Sequence, residues 1–354
     1  MGRVTPPGLL RFSQTVPGPL EITFGGAEVN VAAAIAFLGG EASFVTALPR
    51  NGLADACVRH LRGIGIDTRH ILRTDDGRLG LYFLETGANQ RGGSVLYDRD
   101  GSSVMRAPAD AYDWPSVFEG AAWFHVTGIT PSLSAGAADA TRQAVLAARA
   151  AGATVSCDLN YRKKLWTWRP GARPRDLAEE TMRALLPSVD LVVANEEDAA
   201  MVLGIHAAGT DVEAGRLDVQ AYRSVASEIA AQFPNVWRVA ITLRESVSAS
   251  HNNWGAMLYE VPTQVARFAP LDADGAYRPY EIRDIVDRVG AGDSFAGALV
   301  FALLTDGLSD TATALRFATA ASCLKHSVWG DFSHVSRGEV EALMAGDATG
   351  RVRR

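Results

Sequence analysis

Residues Ile282 to Gly297 read Ile-Arg-Asp-Ile-Val-Asp-Arg-Val-Gly-Ala-Gly-Asp-Ser-Phe-Ala-Gly. A strand-like run, Ile282 to Val286, enters a turn flanked by Gly290 and Gly292, and an apolar helix leaves it. Strand, turn and helix in that order form the repeating unit of an α/β sheet. At the start of such a helix the first backbone N–H groups have no partner, and the helix dipole favours negative charge there. Gly290, Ala291 and Gly292 therefore read as an anion hole, with the Asp293 carboxylate beside it. The plainer alternative is that Asp293 caps the helix and the glycines only make the turn. A dinucleotide fingerprint fits poorly, because the third glycine of G-x-G-x-x-G would fall at Phe295. A Walker loop is absent, since no Gly-Lys-Ser/Thr triplet occurs.

Outward from this unit the chain alternates strand-like and helix-like stretches. Phe44–Leu48, Trp123–Thr127, Thr154–Asp158, Leu191–Ala194 and Val239–Thr242 are short apolar runs rich in β-branched residues. Helical segments lie between them, among them Asp55–Gly63, Ala135–Ala151 and Gln220–Phe233. Continuous apolar strands separated by helices predict a mainly parallel sheet covered on both faces. Ligands on such sheets gather at the carboxyl ends of the strands, which points to Thr127, Asp158, Asn160, Asn195 and Thr242.

Two stretches depart from the pattern. Leu20–Phe24 and Leu79–Arg99 alternate polar and apolar residues, and the second carries turn signals at Gly87-Ala88-Asn89 and Gly92-Gly93. Alternation means one wet face, so they read as a small sheet over one end of the domain, or as an ordinary edge hairpin. Phe24-Gly25-Gly26-Ala27-Glu28-Val29-Asn30 then opens a helix that ends at Gly39-Gly40. Paired glycines let a ligand approach the backbone, and Asn30 offers both a donor and an acceptor.

Composition narrows the function classes. The 354 residues contain 47% apolar and 21% charged residues, the profile of a globular chain. Thirty-four Lys and Arg against forty Asp and Glu give a net charge of −6 without a basic run, which argues against a nucleic-acid partner. The longest apolar stretch, Ala296 to Leu304, falls short of the ~20 residues of a membrane span, and no apolar leader follows Met1. Cys57, Cys157 and Cys323 are odd in number and far apart, as in reduced cytosolic proteins. A cytoplasmic protein without nucleic-acid or membrane partners is expected. No His or Cys spacing suits zinc.

The Gly-Gly-x-x-x-Asn entry (Gly25, Gly26, Asn30) and the late Asp-x-x-Gly-Ala-Gly-Asp (Asp287, Gly290 to Asp293) together resemble the two signatures of the ribokinase-like (PfkB) sugar kinases. Their order and separation match, and the resemblance covers essentially the whole chain. Gly80-Leu81-Tyr82-Phe83-Leu84-Glu85, Tyr97-Asp98-Arg99, Gly128-Ile129-Thr130-Pro131, Asp158-Leu159-Asn160-Tyr161-Arg162 and Ala194-Asn195-Glu196-Glu197-Asp198 are similar to 2-keto-3-deoxygluconate kinases. The resemblance implies a three-layer α/β/α domain over residues 1–354 with a discontinuous β lid at about 15–26 and 78–104. It implies ATP-dependent phosphorylation of a primary hydroxyl, most specifically of 2-keto-3-deoxygluconate at O6. Another sugar (fructose, ribose, keto-deoxygalactonate or a nucleoside), or a regulatory relative that binds without turnover, stays open.

The same resemblance distributes roles. Asp293 accepts the hydroxyl proton while the Gly290, Ala291 and Gly292 amides hold the transferred phosphoryl group. Gly25, Gly26, Asn30, Tyr82, Tyr97, Arg99, Ile129, Thr130 and Arg162 face the sugar. The two arginines suit a carboxylate, and the tyrosines form a wall with hydroxyl tips. Without the family match, Arg99 would read as a solvated hairpin charge. Asn195, Asp198, Thr242, Arg244 and Gly292 face the nucleotide. Asn195 and Asp198 match the family's Asn-x-x-Glu, with Asp one methylene shorter, and organise Mg²⁺ through water; capping of a helix is their alternative role. A monovalent cation is left open, and a homo-oligomer is expected because lid edges pair readily.

Two departures stand out. Thr242-Leu243-Arg244 has Arg where many relatives have Gly, which either reaches a phosphate or crowds the site. Met1-Gly2-Arg3-Val4-Thr5-Pro6-Pro7 matches the segment that follows a buried first strand in relatives. The expectation is that the native start lies upstream of Met1 or that the N-terminus is rearranged. The last residues, Gly346 to Arg354, read as a loose tail.

Overall fold

The computed structural model describes residues 1–206 and 219–347; most of the tail read from the sequence lies outside them. The main sheet runs, from one edge to the other, Val265–Ala269, His251–Glu260, Arg238–Ser248, Leu191–Asn195, Thr154–Asp158 and Trp123–Thr127. The last four are mutually parallel, and His251–Glu260 and Val265–Ala269 extend the sheet antiparallel. Successive side chains of a strand point to opposite faces, and here both faces are dry. Leu191 and Val193 pack with Phe295, Leu299 and Phe317 on one side. Val192 and Ala194 pack with Leu177, Val202 and Ile229 on the other. The result is the three-layer α/β/α arrangement expected from the continuous apolar runs.

On one face, helix Ala27–Phe37 lies against helix Ala291–Leu303, and Ala291–Leu303 against Thr311–Lys325. The first contact is close because position 297 is glycine. A Cβ there would come within 2.8 Å of the Val31 carbonyl oxygen. On the other face lie Ala135–Ala150, Pro174–Leu185 and Val219–Gln232. No described helix is long and apolar enough to cross a membrane.

Four strands form a second sheet, the one the sequence reads as a lid, in the order Glu21–Phe24, Gly2–Thr5, Leu81–Glu85, Ser94–Asp98. The hairpin and Glu21–Phe24 lie where the sequence placed them, but the N-terminal strand Gly2–Thr5 between them was not anticipated. The register aligns Thr23, Arg3, Tyr82 and Tyr97 in one row and Ile22, Val4, Phe83 and Leu96 in the next. Adjacent rows face opposite sides.

One expected element is corrected. Ile282–Val286 is not a strand that runs into the glycine turn. Only Tyr280–Ile282 is extended, and it pairs antiparallel with His251–Glu260. Asp284 then takes a left-handed φ of 54°, which turns the chain away from the sheet. The strand expected at Phe44–Leu48 is Thr46–Pro49, paired with Ile71–Thr74 apart from the main sheet.

Candidate active site

Helix Ala291–Leu303 begins at Gly290, whose φ is 82°, and no side chain caps its first turn. Glycine is required at 290 twice over, by its left-handed backbone and because a Cβ would lie 2.3 Å from the Asp331 carbonyl oxygen. Asp293 does not fold back on the helix start. Its Oδ2 accepts a 2.7 Å hydrogen bond from Nδ2 of Asn30, one turn into helix Ala27–Phe37. The Gly297 contact between these two helices therefore sets the distance between the Asn30 and Asp293 side chains. Asn30 Oδ1 accepts from the Gly26 N–H at 3.2 Å, and Nδ2 also reaches Asp331 Oδ2 at 3.3 Å. Burial pushes the Asp293 carboxyl up to about 7; the Asn30 bond pulls it down, and Asp331 and Glu28 add to the rise.

Behind the turn lies a charged cluster. Arg3, fully buried on the lid strand, pairs with Asp287 at 2.6 Å and with Asp331 at 3.2 Å. Asp287 accepts from the N–H groups of Val289 and Gly330, so it shapes the glycine turn. Asp331 also accepts from the Tyr82 hydroxyl, and its carboxylate fills the space a Cβ at Gly25 would need. Lys325 is buried beside them, with Nζ donating to the Val328 carbonyl at 3.0 Å. Burial lowers its pKa to about 8 against the pull of Asp287 and Asp331.

At the carboxyl ends of the strands the chain places more carboxylates. Asp158 ends its strand and accepts from the Asn160 N–H at 3.2 Å; Asn160 takes a φ of 37°. Burial, then Asp198 and Asp293, push Asp158 well above the usual carboxylate range. Asp198 accepts from the Tyr161 N–H at 2.9 Å, and burial raises it to about 6 while Arg162 opposes the shift. Asn195 ends the next strand and caps helix Glu196–Leu203, its Oδ1 accepting from Glu197 and Asp198 N–H. The capping alternative raised for Asn195 is thus the geometry observed. Thr242 is buried on the adjoining strand. Arg244, two residues on, is exposed and close enough to Arg288 to lower that residue's pKa, after burial.

The lid side brings Arg99 over the Tyr97 ring, Cζ 4.9 Å from its centroid. Arg99 Nη2 approaches the Met1 sulfur, and its buried Nε has no partner. Burial lowers the pKa of this guanidinium. Arg99, Gly25, Gly26, Ile129 and Thr130 line one cavity. Arg162 is exposed, with Nη1 on its own neighbour's carbonyl, Tyr161 O. Tyr82 departs from the expectation of a substrate wall: it is buried, and its hydroxyl is engaged by Asp331.

Sequence reasoning passed over Arg3, Glu28, Lys325 and Asp331 as site residues. Glu28 sits inside the quoted glycine motif, and its Oε1 accepts from the hydroxyls of Thr127 and Thr130 at 2.7 and 2.8 Å. Arg3 left little signal, one charge in a Gly-Arg-Val-Thr strand that the fold buries throughout. Among the described residues no three His, Cys, Asp or Glu side chains gather as a metal site.

Comparison with known proteins follows the same outline. A family model described as pfkB family carbohydrate kinase matches residues 15–229 and 261–331. A 2-dehydro-3-deoxygalactonokinase of Haloferax volcanii is 34% identical over 94% of this chain and 90% of its own length. The crystal structure of a 2-dehydro-3-deoxygluconokinase from Thermotoga maritima superposes with a TM-score of 0.87 at 43% identity, covering 98% of this chain and 97% of that one. A PfkB family carbohydrate kinase from Listeria grayi gives a TM-score of 0.84 at 30% identity, with 98% and 97% covered.

Proposed function

Because the chain belongs to the PfkB family of carbohydrate kinases, we propose that it transfers the γ-phosphoryl group of ATP to the primary hydroxyl of a 2-keto-3-deoxy sugar acid. The leading substrate is 2-keto-3-deoxygluconate and the product its 6-phosphate. Asp293 takes the hydroxyl proton as the oxygen attacks phosphorus, and the bond from the γ-phosphorus to the bridging oxygen of ADP breaks. A carboxyl poised at about 7 is half ionised at neutral pH, the range in which a general base works best. The uncapped N–H groups at Gly290 to Gly292 point at the phosphoryl group, where developing charge is held without reorganisation. Asn30 orients the base.

The observation that carries the acid reading is Arg99. A guanidinium with a buried, unpartnered Nε in the cavity shared with Gly26, Ile129 and Thr130 suits a planar carboxylate. Arg162 adds a second cation near Asp158, Asp198 and Asp293. Arg244 and Arg288 serve the nucleotide phosphates, and Thr242 and Asn195 the same end of the sheet. Magnesium, when bound, supplies charge neutralisation at the ATP phosphates. Asp198 and Asp158 offer the hard oxygens it takes, through its water shell. Asn195 Oδ1 is engaged by two N–H groups, which leaves its amide NH₂ to reach a water or a phosphate.

The C4 epimer, 2-keto-3-deoxygalactonate, is the second reading, favoured by the Haloferax relative's activity. ATP consumption over a panel of sugars and sugar acids tests both. Turnover on one or both keto-deoxy acids and not on fructose is expected. Asp293→Asn should lower kcat by about 10²–10⁴-fold. Preference for a neutral sugar would remove the acid reading, and full turnover in the variant would remove the base.

A further inference from the structure

Helix Thr311–Lys325 ends on a lysine that has no exposed surface. A lysine in a last helical turn ordinarily lies along the surface with its ammonium in water, where it meets the helix dipole. Lys325 turns inward instead. Its stem passes under the glycine turn, so that a Cβ on Gly290 would lie 3.5 Å from Cε. Among the described residues Nζ has one acceptor, the Val328 carbonyl oxygen at 3.0 Å, and no carboxylate within ion-pair distance. A charge held away from water is costly unless its surroundings compensate it. Burial lowers this pKa only to about 8, so the ammonium persists at neutral pH.

The compensation comes from the acids behind the turn. Asp287, Asp331 and then Asp293 hold the charge on Lys325, and Arg3 opposes it. Asp287 accepts from the Val289 N–H at 3.0 Å and the Gly330 N–H at 3.1 Å, which ties the turn to the segment that follows Lys325. The His326 carbonyl ties it again, accepting from the N–H groups of Val286 and Asp287. Arg3 pairs with both Asp287 and Asp331. Two carboxylates against one guanidinium would leave a negative charge directly behind Gly290 to Gly292, whose N–H groups are to receive an anion. In a dry interior an uncompensated charge so close is felt strongly. It would oppose both the ionisation of Asp293 and the arrival of a phosphoryl group. Lys325 cancels it.

We propose that Lys325 is a positioning residue for phosphoryl transfer: its fixed ammonium neutralises the Asp287–Asp331 pair behind the anion hole and fills the place that a bound monovalent cation would otherwise take. The inference rests on reading Gly290 to Gly292 as the phosphoryl hole. The place suits a small cation, since a backbone carbonyl oxygen is directed at it and acids surround it. With the ammonium built in, turnover needs no added potassium or ammonium ion.

The test measures ATP consumption by the intact chain on whichever sugar of the panel it turns over, so that failure of the acid reading leaves the test standing. Ionic strength is held constant with tetramethylammonium, potassium or ammonium chloride. Wild-type kcat should agree within about twofold in all three salts, since equal ionic strength equalises screening; this arm needs no variant. Lys325→Met keeps the stem without the charge, and its kcat in tetramethylammonium should fall about 10-fold or more while the KM for the sugar holds. Lys325→Ala should fall likewise and regain about fivefold or more in potassium or ammonium, which are small enough for the vacated place, as a displaced electrostatic group can be replaced only by a charge that reaches its site. A wild type that requires potassium or ammonium would overturn the proposal. So would wild-type kcat in Lys325→Met, or a Lys325→Ala enzyme that no small cation restores, which would leave the lysine a structural clamp on Val328. A wild type without turnover on any sugar would remove the phosphoryl-hole reading and this proposal with it.

Discussion

At the scale of single residues the site balances opposing terms. Burial holds Asp293 near 7, and the Asn30 hydrogen bond keeps it from rising further. A base acts only when ionised, so kcat/KM should climb with pH through an acid limb near 7, which reports the free enzyme. Asn30→Leu removes a hydrogen bond that favours the ionised carboxylate, so its limb should move to higher pH while kcat falls. A limb unchanged by that substitution would mean that the bond does not set the base. The arginines give a second residue-scale expectation. Arg162→Ala should raise KM for a sugar acid by about 10-fold or more, as for loss of a charge-assisted bond of ~1.5–3 kcal/mol, and leave a neutral sugar's KM nearly unchanged. Arg99→Met should do the same, since its guanidinium faces the cavity with an unpartnered Nε. Equal rises for acid and neutral sugars would separate both residues from the carboxylate.

Elements carry these residues, and one helix contact governs them. Gly297 lets helix Ala291–Leu303 approach helix Ala27–Phe37, and the 2.7 Å Asn30–Asp293 bond spans the same pair. Gly297→Ala would put a methyl 2.8 Å from the Val31 oxygen and 2.9 Å from Ala34 Cβ. It should cost about 1–3 kcal/mol of stability, read by denaturant unfolding, and lower kcat more than it raises KM. Unaltered kcat with lowered stability would show that the helices repack without moving the base. This level also shows what the sequence made legible. The parallel strands were readable because burial on both faces leaves an unbroken apolar run, as in Leu191–Ala194. The glycine turn was readable because φ 82° and a 2.3 Å approach admit little else at Gly290. Gly2–Thr5 was not readable as a lid strand, since four residues carry no period and its charge, Arg3, is paired with residues more than 280 positions away. Asp331 was hidden for the same reason: its partners Arg3, Asn30 and Tyr82 converge only in the fold.

Across the whole molecule the net charge of −6 sits oddly with the two anionic substrates proposed above. In the proposed function a helix start, Arg99, Arg162, Arg244 and Arg288 would meet the anions, and burial raises the pKa of the carboxyls of Asp158, Asp198 and Asp293 in the same site. The lid sheet is divided between its faces. In one row, Thr23, Arg3, Tyr82 and Tyr97, Arg3 and Tyr82 reach the aspartates behind the glycine turn, whereas the other row, Ile22, Val4, Phe83 and Leu96, is apolar. Ile22 and Leu96 are 54% and 66% exposed, at opposite edges of the four strands. Between them Val4 is buried and Phe83 packs edge-on against Phe12, so the exposed apolar groups sit at the two edge strands, where unpaired edges invite pairing between copies. A stable pair needs about 800 Å² from each copy, an area that two small residues alone do not supply and that a whole sheet face does. The chain should therefore sediment as a dimer through its lids. Ile22→Glu combined with Leu96→Glu should yield monomers whose kcat stays within about twofold, because neither side chain shares the face of Arg3 and Tyr82. Dimers that survive both charges would place the interface elsewhere; monomers that lose turnover would mean that the lid holds its shape only when paired.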